Sequence, residues 1–447
     1  MEKYISYVDK NRKLILDAFD YIWANPEVGY KEWKTHKYLA DAFEALGYTL
    51  TPAGNIPGFT AEIDTGRPGP TVAVFGEMDG LIIPGHPECD KETGAVHACG
   101  HCCQVAALLG LAAALKEPGA LDEMCGKIRL VAVPAEELIE VGYRTELRKQ
   151  GVIRYFGGKP EFMYRGLLDG VDLSFMIHTS NGTKSGGCNG GTNGCLVKTI
   201  TFEGKSAHAG GAPHAGVNAL YAANLALNAI NALRETFRDA SHIRVHPIIT
   251  NGGASVNAIP DEVVLESYVR GATMDEIVLI NDKVNRAMAA AAAAMGGKVR
   301  ITDIPGYWPR LNGADYMEVF KEAMGHVLEK VNCNPANWGT GCSDMGDVAS
   351  VMPAIHPYVG GSAGTAHGIT YTVPDPETAC VDSAKVQLLA LKLLLQNDAV
   401  KAKEIVAAYK PAFGSYQEYF AYMDNLDMDK EAVSYAEDGT VTLSFKK

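Results

Sequence analysis

Two short apolar runs, Thr71-Val-Ala-Val-Phe75 and Ile128-Arg-Leu-Val-Ala-Val133, bracket an alanine- and leucine-rich stretch from 103 to 116, and no other feature constrains the fold as much. Apolar runs of this length without strict polar alternation read as buried strands, and the segment between them has the length of a helix. Strand, helix, strand implies an α/β fold: a mixed, mostly parallel sheet sandwiched by helices. Upstream, residues 8–47 follow a helical pattern broken at Asn25-Pro26-Glu27 and stopped at Gly47.

A glycine-rich stretch from Gly186 to Gly194 interrupts that pattern and reads as a hinge. Beyond it the sequence predicts strand 195–204, helix 214–237, strands near 243–250 and 262–270, helix 273–296 and strand 298–303. That order, βαββαβ, is the split arrangement of a two-layer, ferredoxin-like α+β sandwich. After Gly306 the α/β character resumes, with helix 314–330, a glycine-rich segment over 339–370 and helix 381–396. At 447 residues the chain exceeds one ordinary core. The expected organisation is therefore a discontinuous domain, 1–187 with 306–447, carrying an inserted lid or dimerisation domain over 188–305.

A net charge of −13 argues against nucleic acid or an anionic membrane as partner, because both need a basic footprint. A small molecule is the better expectation. The longest apolar tract, Met288 to Met295, is too short to span a bilayer, and Met1-Glu2-Lys3-Tyr4 opens an amphipathic pattern without an apolar signal core. A cytoplasmic location follows as the expectation. Ten cysteines are scattered without the density of a secreted disulfide scaffold, so most should be small buried apolar residues.

Three clusters carry chemistry. In His97-Ala98-Cys99-Gly100-His101 a thiol and an imidazole two residues apart, on a turn tightened by Gly100, can approach one metal ion, although a lone Cys-x-His also arises by chance. Pro134-Ala135-Glu136-Glu137 ends the apolar run 128–133. It reads either as a solvated acidic turn or as a pair of carboxylates, one binding metal and one moving protons, and the carboxyl end of a buried strand favours the second. His178 and His367 end apolar or glycine-rich segments, where a hydrogen-bonded structural role competes with metal ligation.

Together with Asn25-Pro26-Glu27, Gly76-Glu77-Met78-Asp79-Gly80-Leu81, Gly204-Lys-Ser-Ala-His208, Asn257-Ala-Ile-Pro260 and Gly341-Cys-Ser-Asp344-Met-Gly-Asp347, these clusters run in one order across the chain. In that order the sequence resembles the aminoacylase and glutamate-carboxypeptidase family of co-catalytic metallopeptidases, and within it the aminobenzoyl-glutamate, hippurate and indole-acetyl-amino-acid hydrolase branch. The resemblance implies two divalent metal ions per subunit, zinc or manganese first and cobalt or nickel as alternatives, held by Cys99, His101, Glu137, His178 and His367. It implies Glu136 as general base, Asp79 as a residue supporting or joining the ligands, and His208 as a histidine that reaches the partner subunit's site and stabilises an oxyanion. Asn257 and Arg270 would clamp a substrate carboxylate. A homodimer is expected, with a hetero-oligomer as the other form found in this branch.

The activity so implied is hydrolysis of the amide bond of N-acyl amino acids or small dipeptides. Two other readings compete with it: a non-catalytic partner subunit that keeps the fold, and a cysteine hydrolase using Cys99 and His101, which leaves Glu137, His178 and His367 without a role. The sequence departs from the family pattern at Cys102-Cys103-Gln104, at Glu77, and in an insertion over Pro84 to Thr93 that is expected to shape specificity.

Overall fold

Every residue of the strand Thr71–Glu77 is buried, as an unbroken apolar run requires. In the computed structural model, which describes residues 1–447, this strand lies parallel to Lys127–Val133 on one side and to Leu173–Phe175 on the other. Ala354–Ile355 extends the parallel run, while Phe59–Asp64 and Leu50–Pro52 add antiparallel strands at the opposite edge. The six-stranded sheet is thus mixed and mostly parallel, in agreement with the sequence. Helix His101–Leu115 is buried along its whole length between the sheet and the helices Arg12–Ala24 and Ser383–Ala408. The helical pattern over 8–47 resolves into Glu2–Lys10, Arg12–Ala24 and Trp33–Ala45, with an extra break at Asn11.

The chain divides into two compact units: Met1–Gly191 with Arg310–Trp338 and Asp344–Tyr416, and Thr192–Pro309 with Gly339–Ser343 and Gln417–Lys447. The second unit has the expected βαββαβ order. Gly194–Glu203 pairs antiparallel with Glu262–Gly271 on one side and Lys298–Pro305 on the other, and helices Ala219–Leu233 and Met274–Ala294 pack over one core. The first of these helices is shorter than predicted because the Asn218 side chain accepts from the Tyr221 amide and starts it there.

Two expectations need correction. The stretch read as a hinge is a strand, Ser185–Thr192, paired with Lys330–Gly339, Arg310–Leu311 and Tyr358–Ser362. Its glycines admit a neighbouring backbone: a Cβ at Gly187 would lie 2.1 Å from the Asn332 carbonyl, and one at Gly190 would lie 1.9 Å from that of Pro335. The C-terminal segment does not stay with the first domain, since Gln417–Lys447 belongs to the second unit. There Met428–Glu431 adds an edge strand to Lys298–Pro305, and Met428, Ala432 and Val433 are buried. A short apolar segment satisfies its backbone and its side chains together by joining an open sheet edge. The helix predicted over 314–330 ends at Gly325, ahead of the strand beginning at Lys330.

Candidate metal centre

The carboxyl ends of three parallel strands deliver the site. Thr71–Glu77 runs into Asp79, Lys127–Val133 into Glu136 and Glu137, and Leu173–Phe175 into His178. The turn after Lys127–Val133 is tight enough to force Ala135 to φ +59°, and the Ala135 amide donates to the buried Glu32 carboxylate at 2.8 Å. Cys99 and His101 come from the left-handed turn at Gly100 that begins helix His101–Leu115. A side chain at Gly100 would lie 2.2 Å from Thr179, so that turn excludes any other residue.

The ligand atoms of Cys99, His101 and His178 all lie within 4.8 Å of one another, as do those of Cys99, Glu137 and His367. Two triads sharing one thiol describe two adjacent cation positions. Cys99 Sγ is 3.3 Å from His178 Nε2, and Glu137 Oε1 is 3.1 Å from His367 Nε2. The outer nitrogens are fixed: His178 Nδ1 faces the Thr179 carbonyl at 2.7 Å, and His101 Nδ1 faces the Asp79 carbonyl at 2.9 Å and its Oδ1 at 3.0 Å. With Nδ1 so engaged, both rings direct Nε2 into the cluster. Asp79 Oδ2 also accepts from the Glu137 amide at 2.8 Å, so one carboxylate orients two candidate ligands.

The donor set fits a metal. His101 Nε2 and Glu137 Oε1 are buried and make no well-aligned hydrogen bond, each facing only one side-chain atom of the cluster, Glu77 Oε2 at 3.2 Å and His367 Nε2 at 3.1 Å. The electrostatics agree. Burial pushes the Cys99 thiol up, but His101 and His178 bring it down to about 6; burial lowers His101, yet Cys99 and Glu77 hold it well above the usual histidine range. His367 is raised to about 10 by Glu137. Protons are thus held where cations would sit. Burial, then Glu77 and Glu137, push the Glu136 carboxyl well up, and its Oε2 lies 3.9 Å from His101 Nε2.

Sequence reasoning gave no role to three buried groups beside this centre. Glu77 Oε2 is 3.2 Å from His101 Nε2, and Glu77, His101 and Glu136 form a third convergent group. Lys159 Nζ contacts both Glu77 and Asp344, and Gln104 donates to Glu77 at 2.7 Å. The signal for Glu77 was present: it ends a buried strand, as the Glu136-Glu137 pair follows one. The departure at Gln104 thus supplies a hydrogen bond rather than removing one. The insertion over Pro84 to Thr93 is pinned by His86 Nε2 to the Tyr371 carbonyl at 2.8 Å.

His208, Asn257 and Arg270 lie in the second unit. His208 is exposed, and its Nδ1 accepts from the amides of Gly210 at 3.2 Å and Gly211 at 3.0 Å, which puts the ring proton on Nε2. Asn257 is tied to it through the Ala209 amide, which donates to the Asn257 carbonyl at 2.9 Å. Ser255 Oγ donates to Asn257 Oδ1, leaving the Asn257 amide nitrogen as the donor. Arg270 lies on strand Glu262–Gly271 over the Tyr268 ring at 5.1 Å.

Comparison with known proteins agrees with this architecture. Residues 191–296 match the model of the peptidase dimerisation domain. The mouse Xaa-Arg dipeptidase is 30% identical over 360 residues, covering 75% of this chain and 74% of that protein. The indole-3-acetyl-aspartic acid hydrolase of Enterobacter agglomerans is 33% identical over 59% of this chain and 60% of its own length. In fold, the chain is similar to the Bacillus subtilis YXEP protein, a dinuclear metal-binding peptidase from the M20 family, with TM-score 0.62 at 21% identity over 87% of this chain and 99% of that one. With two triads that share the Cys99 thiol and relatives aligned across three quarters of its length, the chain belongs to the M20 family of peptidases and amidohydrolases.

Proposed function

We propose that the protein is a metal-dependent amidohydrolase that cleaves the amide bond of N-acyl amino acids or small dipeptides. The convergence of Cys99, His101, Glu137, His178 and His367 on two adjacent positions, with the buried Glu136 carboxyl beside them, carries this reading. These five residues would hold two divalent ions, zinc or manganese first, with cobalt and nickel as substitutes for the same thiolate, imidazole and carboxylate set. Such ions supply Lewis acidity to the scissile carbonyl and acidify the attacking water.

The remaining work falls to side chains. Glu136 takes a proton from the attacking water and passes it to the leaving nitrogen, a task suited to a carboxyl whose proton affinity burial has raised. Asp79 keeps the His101 ring and the Glu137 amide in place. His208 presents Nε2–H to the developing oxyanion, and Arg270 with Asn257 holds the substrate carboxylate by a planar fork and an amide donor. His208 acting across a homodimer fits the dimerisation-domain match, and a hetero-oligomer is the other assembly of that kind. Ten free thiols fit the reducing cytoplasm, and no helix is long and apolar enough to cross a membrane.

The reading is favoured over a non-catalytic partner subunit because the candidate base is retained beside the full ligand set. It is favoured over a cysteine hydrolase because Cys99 lies among four further convergent ligand groups. Glu136→Gln should lower kcat on the best N-acyl amino acid by about 10²–10⁴-fold while metal content, measured by elemental analysis, stays at two ions per chain. Near-normal turnover in that variant, or wild-type activity that survives chelation, would overturn the proposal.

A further inference from the structure

Arg310 begins the strand Arg310–Leu311 in the first unit, beside Ser185–Thr192, and is wholly buried. None of its three guanidinium nitrogens makes a well-formed hydrogen bond, and the Tyr358 phenol is the polar group that faces them. A buried arginine is ordinarily forked onto a carboxylate, and a buried charge left alone costs several kcal/mol. Here the groups acting on it are the Tyr358 phenol and the Cys188 thiol. A phenol and a thiol are ordinarily neutral at pH 7, so neither supplies a negative charge. Arginine itself keeps its proton even where burial lowers its affinity. Arg310 is therefore a buried cation with no carboxylate against it.

Tyr358 connects this cation to the metal centre. It stands in register with His178 on the adjoining strand, with ring centroids 5.9 Å apart. His356 is buried, stacks on Tyr358 at 5.3 Å and lies 5.6 Å from His178, and its Nε2 has no partner. A guanidinium fork, a phenol and an open imidazole nitrogen thus gather on one side of a candidate metal ligand.

We propose that Arg310, with Tyr358 and His356, binds a second carboxylate of the substrate, so that the protein prefers amides carrying an acidic group beyond the amino-acid carboxylate. The extra acid lies either on the amino-acid side chain or at the far end of the acyl group. The inference rests on the amidohydrolase reading, in which Arg270 and Asn257 take the first carboxylate and leave the buried cation for another anion. A single positive charge in a planar fork matches a carboxylate in charge and geometry, whereas a phosphate monoester brings nearly twice the negative charge.

The test uses two matched pairs on the metal-loaded protein: N-acetyl-glutamate against N-acetyl-glutamine, and N-succinyl-alanine against its terminal amide. Wild type should favour the charged member of at least one pair by about tenfold or more in kcat/KM, as expected when a buried polar partner is left unpaired by the neutral analogue. Arg310→Gln should erase that preference through KM, with far smaller losses on the neutral member, and Tyr358→Phe should weaken it. Arg310→Lys keeps the charge and serves if the Gln variant does not fold. Calorimetric binding of glutarate, with acetate and inorganic phosphate as controls, reads the site without turnover. Arg310-dependent glutarate binding with no hydrolysis of any amide would sustain the site and sink the activity. No charge preference in either pair, equal losses on both members, or tighter binding of phosphate than glutarate would overturn the proposal.

Discussion

At the residue scale the centre depends on charges balanced out of reach of water. Lys159 is fully buried between Glu77 and Asp344, residues that lie 82 and 185 positions away in the chain. Lys159→Met strands two buried carboxylates and should destabilise the fold by about 3–5 kcal/mol, read from the shift of the denaturant midpoint. Asp344→Asn in the same chain should recover part of that loss. His36 offers a pH test. Its Nδ1 accepts from the Gly58 amide at 2.9 Å, and burial holds its pKa below the ordinary value. The unfolded chain therefore binds this proton more readily, so the stability His36 contributes is present at neutral pH and is lost as pH falls below about 6.5. His36→Asn should flatten the decline of Tm between about pH 6.5 and 5, followed by calorimetry. An unchanged slope would show that other groups control that window.

At the scale of elements, the C-terminal strand separates burial from charge. Met428–Glu431 is held to Lys298–Pro305 both by the buried Met428 and by the exposed fork from Arg300 to Asp429, with bonds of 2.7 and 2.6 Å. Met428→Ala should cost about 2–5 kcal/mol, whereas Asp429→Ala should cost less than about 1 kcal/mol because exposed pairs are screened. Comparable losses in thermal unfolding would mean that the charge pair, rather than burial, docks the strand. The Ser185–Thr192 strand makes a related point. Its composition reads as a loop because glycine ordinarily weakens a strand, and only the close passage of Lys330–Gly339 makes glycine a requirement there.

At the scale of the molecule, a site completed by His208 from a second subunit makes a specific demand. Neither Glu136→Gln nor His208→Ala should be active alone. Mixed under exchange conditions, the two variants should recover about a quarter of wild-type activity, because half of the dimers are hybrids and each hybrid has one complete site. Absence of recovery in dimers shown by ultracentrifugation to have exchanged would place His208 in its own subunit's site.

Local pattern by itself determined the α/β character and the βαββαβ insertion, because buried strands and helices are written in residues that are neighbours in sequence, whereas the candidate ligand set came from the family resemblance of the motifs that carry it. The Glu136-Glu137 pair was legible in the local pattern, since it directly follows the apolar strand Lys127–Val133. Only the tertiary structure decided that Lys159 neutralises Glu77 and Asp344, that Arg310 is buried without an anion, and that Gln417–Lys447 joins the second unit. Whether a buried charge is paired, and which sheet edge stands open, depends on residues far apart in the chain, and sequence periodicity carries no information about such distances.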